Sequence, residues 1–326
     1  MQFLGYAAQT AASGWRMAGQ DGGQSIALGD GRSLFLFSDT LLAPVDGGPR
    51  PQHGRTGWFL GNCAAIGAPT ATLPAAMAAL TYFTDCAGRP REIIEPNMIE
   101  RMAGLRFWPA HGVLRGGEVV VFYIGIHQQE MGTWTFQEEG VGIAVFDPES
   151  GACRRVLRDG DWRLWPALPM LSHCGVQLIH EPPLVYVFAS IGDDAFLARV
   201  NDADLEDPDA YEFSADGAWT RQLLEARPIA RAAADYSVAF NRYLGCYLMA
   251  WVDSLSKVLN LRTAASPAGP WSEPVSAGVV PHNPESRFVA LCFYHPQFDA
   301  CNGQTVFLSY SQPHFTQNGM LRVTFE

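Results

Sequence analysis

Asp21 and Asp39 are the residues whose type and spacing speak most directly of chemistry. They bracket residues 20–40, a stretch that reads as a β-hairpin turning at Asp30-Gly31 with an unneutralised aspartate at each end. Two carboxylates fixed by one rigid hairpin can share a small pocket. Such a pair suits acid/base work on a glycosidic or similar bond, where one protonates the leaving oxygen and the other acts as base or nucleophile. The acid is whichever sits in the less polar surroundings and keeps its proton, a matter the sequence leaves open. Separation sets the stereochemical course: roughly 5 Å gives retention, and about 6.5–9.5 Å admits a water and gives inversion. Both residues also fit local roles, Asp21 in an Asx turn before Gly22-Gly23 and Asp39 capping the loop after its strand.

Other residues are placed to complete such a pocket. Asn62, after Gly61, fits either a sugar hydroxyl or a turn. Trp108, before Pro109, offers a face on which a ring can stack, and equally fits a core between sheets. His111, His173 and His295 open three strand pairs at analogous places, where a neutral imidazole can hold a hydroxyl or tune a carboxylate. Asp235, just before Tyr236-Ser237-Val238, is a candidate third acid. No local spacing of His or Cys makes a metal motif, and neither a metal nor another cofactor is expected. Gly29-Asp30-Gly31 and Arg115-Gly116-Gly117 read as hairpin turns, since no helix follows to form a phosphate cradle.

The elements that must position these side chains are strands. Short runs rich in Val, Ile, Phe and Tyr, bounded by Gly, Pro, Asn and Asp, recur along the chain. Five strand pairs share one plan, over residues 25–37, 112–124, 174–188, 237–251 and 293–310. Weaker outer strands follow at 140–146, 154–157, 195–200, 258–263 and 320–325, and a helix is expected over residues 73–80. Five four-stranded blades around a central channel account for this pattern, as one domain over residues 1–326; a β-sandwich is the rival.

Composition narrows the function classes. Hydrophobic residues make up 48% and aromatics 12%, enough for a large core. A net charge of −11 with a single lysine, Lys257, argues against a nucleic-acid partner. Seven scattered cysteines without a CxxC read as buried thiols. With neither a signal peptide nor an apolar run of membrane-spanning length, a cytoplasmic location and no membrane partner are expected.

Several motifs resemble the DUF4185 family: Gln20-Asp21-Gly22-Gly23, Leu28-Gly29-Asp30-Gly31-Arg32, Leu36-Phe37-Ser38-Asp39-Thr40, Gly61-Asn62-Cys63 and Arg106-Phe107-Trp108-Pro109. The echoes continue through Tyr236-Ser237-Val238, Ser266-Pro267-Ala268-Gly269-Pro270-Trp271 and His295-Pro296. The resemblance implies a five-bladed β-propeller and, through the family's endo-D-arabinanases, catalysis by Asp21 and Asp39. The chain departs at Ser38, where that family often has glycine, and at Cys63, where serine is usual. The expectation is thus a glycoside hydrolase-like enzyme acting on a furanosidic, arabinan-like or related glycan. Two alternatives stay open: a cyclase, lyase or isomerase of a small metabolite, and a carbohydrate-binding module without catalysis.

Overall fold

The structure is a computed structural model that describes residues 1–7, 11–12, 14–45, 58–70, 72–128, 136–166, 176–312 and 317–326. Five antiparallel sheets follow one another along the chain. Blade one runs outward from Trp15–Ala27 through Ser33–Pro44 and Cys63–Gly67 to Leu80–Tyr82, and blade two from Leu105–Arg115 through Glu118–Gln128 and Phe136–Phe146 to Cys153–Arg155. Blade three begins at Gln177–Glu181, blade four at Ser237–Asn241 and blade five at Ala290–Tyr294. These five first strands neighbour one another in a closed ring, so the molecule is a five-bladed propeller rather than a sandwich.

Strand composition explains the arrangement. The second strand of each blade is almost wholly buried, as in Val119-Val120-Val121-Phe122-Tyr123 and Leu248-Met249-Ala250, because both of its faces pack against neighbouring sheets. Five apolar clusters fill the gaps between adjacent blades. Leu36, Phe107 and Tyr123 join blades one and two, for example, and Phe188, Tyr236 and Met249 join three and four. At Gly125 a Cβ would lie 2.0 Å from Cη2 of Trp162, so this glycine is where the indole seats itself.

The expected pairs sit close to where the pattern put them, with four differences. The first hairpin is far longer than residues 25–37, extending back to Trp15 and forward to Pro44. The helix stops at Ala78, and Leu80 already starts a strand. The first strand of the third pair is Gln177–Glu181, with Val176 in a bend before it; residues 174 and 175 lie outside the described residues. The fourth strand of blade five comes from the N-terminal end: Gln2–Tyr6 pairs with Gln317–Thr324, Phe3 opposite Leu321 and Tyr6 opposite Gly319.

Candidate functional site

Asp21 and Asp39 lie opposite each other in the middle of the first hairpin, not at its ends. Gln20 is opposite Thr40 and Gly22 opposite Phe37, which leaves Asp21 alone against Ser38 and Asp39 in a β-bulge. Gly22, at φ +91°, makes the bulge possible: a Cβ there would lie 3.1 Å from the Ser38 nitrogen and 3.2 Å from the Phe37 Cα. Behind the bulge, the Tyr82 hydroxyl donates to Gln20 Oε1 (3.0 Å), while the Gln20 amide and the Thr40 hydroxyl both contact Cys63 Sγ (3.4 Å each). Burial pushes the Cys63 thiol up to about 11, so it packs as an inert group.

The two aspartates have opposite surroundings. Asp39 is not unneutralised, as the sequence suggested: Arg106 Nη1 donates to both of its oxygens (3.2 Å each), and Trp108 Nε1 donates to Oδ1 at 2.7 Å. Arg106 and Trp108 are two residues apart on the first strand of blade two, so their side chains leave on the same face. The Arg106 guanidinium also lies over the Phe59 ring (4.9 Å), and Trp108 meets Phe136 edge to face at 5.0 Å. Trp108 therefore belongs neither to a core cluster nor, by its observed contacts, to a free stacking platform; its indole nitrogen holds Asp39. These donors stabilise negative charge on that carboxylate.

Asp21 has no such help. Its Oδ1 is shut off from solvent and has no hydrogen-bond partner. Burial first, then the charges of Asp39 and Asp235, push the carboxyl up to about 7. Asp235, just before the first strand of blade four, is close enough for its charge to be felt at Asp21.

The other expected binding residues divide differently. Asn62 is fully buried and its side chain is fully used, donating to the Ile94 and Phe107 carbonyls and accepting from the Ile93 and Ile94 amides. It organises a loop and has no capacity left for a sugar hydroxyl. His111 and His295 are buried at the waist of the channel. His295 lies between the Ser25 hydroxyl (2.6 Å from Nδ1) and the Ser309 hydroxyl (2.8 Å from Nε2), and His111 Nδ1 accepts from the Leu178 amide at 3.2 Å. Burial holds His111 down to about 4 and, with His111 adding to the effect, His295 down to about 3. Both are held neutral by burial, and His111 is among the residues lining a pocket in the channel. His173 lies outside the described residues. Among the described residues, no three His, Cys, Asp or Glu side chains are grouped to hold a metal ion.

Arg106 is the site residue that sequence reasoning missed. Its signal was its spacing: a cation two residues before Trp108, on a strand lining the channel.

Similar folds occur among solved structures. One from Bacteroides ovatus, whose name proposes a hydrolase, is 15% identical, with a TM-score of 0.70 over 96% of this chain and 87% of that one. A GH43_1 enzyme from Xanthomonas citri, complexed with xylotriose, is 13% identical, with a TM-score of 0.52 over 94% and 87%. The exo-beta-1,3-galactanase 1,3Gal43A from Clostridium thermocellum is 11% identical, with a TM-score of 0.51 over 96% of this chain and 63% of that one. At these identities the likeness is one of fold. No curated protein sequence matches. The motifs resembled DUF4185, but the family model that matches is a different one, described as a domain of unknown function. That model matches residues 2–321, and the chain belongs to the DUF5005 family.

Proposed function

We propose that the protein is a glycoside hydrolase that uses Asp21 as the general acid and Asp39 as the carboxylate partner, acting on a furanosidic, arabinan-like or related glycan. One observation carries this reading: two aspartates lie opposite each other in the register of a single bulge, one with its proton favoured by burial and the other hydrogen-bonded by Arg106 and Trp108, which favour its charge. That division of labour is what glycosidic cleavage needs. Asp21 would protonate the leaving oxygen. Asp39, already carrying negative charge, would attack the anomeric carbon or activate a water as the bond breaks. The Asp235 charge helps keep the proton on Asp21 near neutral pH. The sugar-cleaving propellers among the structural neighbours are in keeping with this reading.

The test is turnover of arabinan and aryl arabinofuranosides in ¹⁸O-labelled water. Label in the new reducing end, lost in Asp21→Asn and Asp39→Asn, is the expected result. Product without label would replace hydrolysis by elimination, cyclisation or isomerisation at the same carboxylates.

A further inference from the structure

The bulge that sets Asp21 opposite Asp39 holds a third polar side chain, Ser38, which the proposed reaction does not use. Its backbone is pinned. The Thr40 hydroxyl donates to the Ser38 carbonyl at 3.0 Å, and Gly22 on the facing strand packs closely against the Ser38 nitrogen. The side chain is another matter. Ser38 is half-buried, and its hydroxyl is not shut off from solvent and has no hydrogen-bond partner among the described residues. Other serines along the channel use theirs within the protein: Ser25 and Ser309 on His295, Ser190 on the Ala234 carbonyl, Ser237 on the Cys292 carbonyl, and Ser311 on Asn318.

Counting sides along Ser33–Pro44 shows where the Ser38 side chain goes. Before the bulge, Leu34 and Leu36 pack with Phe107, Val119 and Tyr123 of blade two, whereas Phe35 and Phe37 pack with Phe298, Phe307 and Met320 of blade five. After it the alternation is reversed. Leu42 now joins the blade-five cluster, the Thr40 hydroxyl meets Cys63 of that same cluster, and Asp39 takes its donors from blade two. One extra residue in a strand does this, because side chains alternate with a period of two. Ser38, two residues after Leu36, therefore leaves the strand on the same face as Asp39, the face on which Trp108 Nε1 reaches that carboxylate.

We propose that the Ser38 hydroxyl binds the sugar hydroxyl on C2, the carbon next to the anomeric centre, and so selects glycans in which that hydroxyl is unsubstituted. The proposal rests on the reading that Asp39, or a water beside it, addresses the anomeric carbon. A carboxylate acting at C1 brings its neighbour on the same face of the strand toward the substituent one bond away. The Ser38 hydroxyl has both its donor and its acceptor capacity available, and a sugar hydroxyl offers the complement of both. Hydrogen bonds to this position strengthen as the glycosidic bond breaks, so the contact would act on the transition state as well as on binding.

Binding measured without turnover tests it. Saturation-transfer NMR compares methyl α-D-arabinofuranoside with its 2-deoxy counterpart, at millimolar concentration, on the unaltered protein, Ser38→Ala and Ser38→Thr. The unaltered protein and Ser38→Thr are expected to bind the first sugar roughly 2- to 10-fold more tightly, as one hydrogen bond between uncharged groups contributes. Ser38→Ala should bind both alike. Its melting temperature should be unchanged, whereas a structural role for the hydroxyl would lower it and leave any sugar preference in place. Equal binding of the two sugars by the unaltered protein, a preference that survives in Ser38→Ala, or no binding of either sugar would overturn the proposal. The labelled-water experiment judges hydrolysis separately. Labelled product with the preference intact in Ser38→Ala removes only the role of Ser38; a preference lost in Ser38→Ala without labelled product removes only the hydrolysis.

Discussion

The indole nitrogen of Trp108 lies 2.7 Å from Asp39 Oδ1, binding blade two to the carboxylate of blade one. Trp108→Phe keeps the ring and its packing against Phe136 but removes that donor. A hydrogen bond to a charged group contributes about 1.5–3 kcal/mol, so kcat/KM should fall roughly 10- to 100-fold. An effect confined to KM would instead make Trp108 a sugar contact. Steady-state kinetics beside a thermal melt distinguish the two.

Asp21→Asn should abolish turnover, and its effect on stability should depend on pH. The native pKa is raised to about 7, above its unfolded value, so the contribution of Asp21 is fully present below pH 4 and is lost as pH rises through 7. Melting temperatures of the two proteins should therefore be similar below about pH 4 and diverge progressively between pH 4 and 7, with the asparagine variant the more stable at pH 8. A constant difference across that range would mean that Asp21 is not buried as a neutral acid.

The same proton gives activity an alkaline limit. If Asp21 is the acid, kcat/KM should decline tenfold per pH unit above about 7. A rate still rising to pH 9 would remove it from that role.

His111 and His295 work in the opposite direction. Their native pKa values, about 4 and about 3, lie below the unfolded value near 6.5. Their neutral burial is fully stabilising above pH 6.5 and is lost progressively as pH falls toward 4 and 3, on the order of 3 kcal/mol for His111 and roughly 5 kcal/mol for His295. Urea midpoints should drop over that interval, and His111→Gln should flatten the drop.

Gly22→Ala should disturb both the fold and the site. The positive φ and the short approaches to Ser38 and Phe37 predict a loss of about 1–3 kcal/mol with a displaced Asp21. Urea denaturation and activity should fall together.

Local pattern carried the blades well, because each strand pair announces itself by β-branched and aromatic runs around a short turn, Asp30-Gly31 in the first pair and Asn302-Gly303 in the last. It also singled out Asp21 and Asp39, since an acid beside Gly22-Gly23 and another after an apolar run are local signals. Partnership was the illegible part. Arg106 stands 67 residues from Asp39, and only the ring of blades brings them together. Asn62 and His295 resembled ligand contacts because their spare hydrogen-bonding capacity is used up by groups remote in sequence, Ile94 and Phe107 for one and Ser25 for the other. The glycines at 22 and 23 read as turn formers, yet they bend a strand that continues through them.

The pairing of Gln2–Tyr6 with Gln317–Thr324 makes the last sheet a clasp joining the two ends of the chain. A growing polypeptide can assemble blades one to four in order, but the clasp must wait until Gln317–Thr324 has been made and can find Gln2–Tyr6. Without the N-terminal strand, the backbone groups of Gln317–Thr324 would become an open edge able to recruit another molecule. Resistance to unfolding and resistance to aggregation are therefore vested in the same short segment.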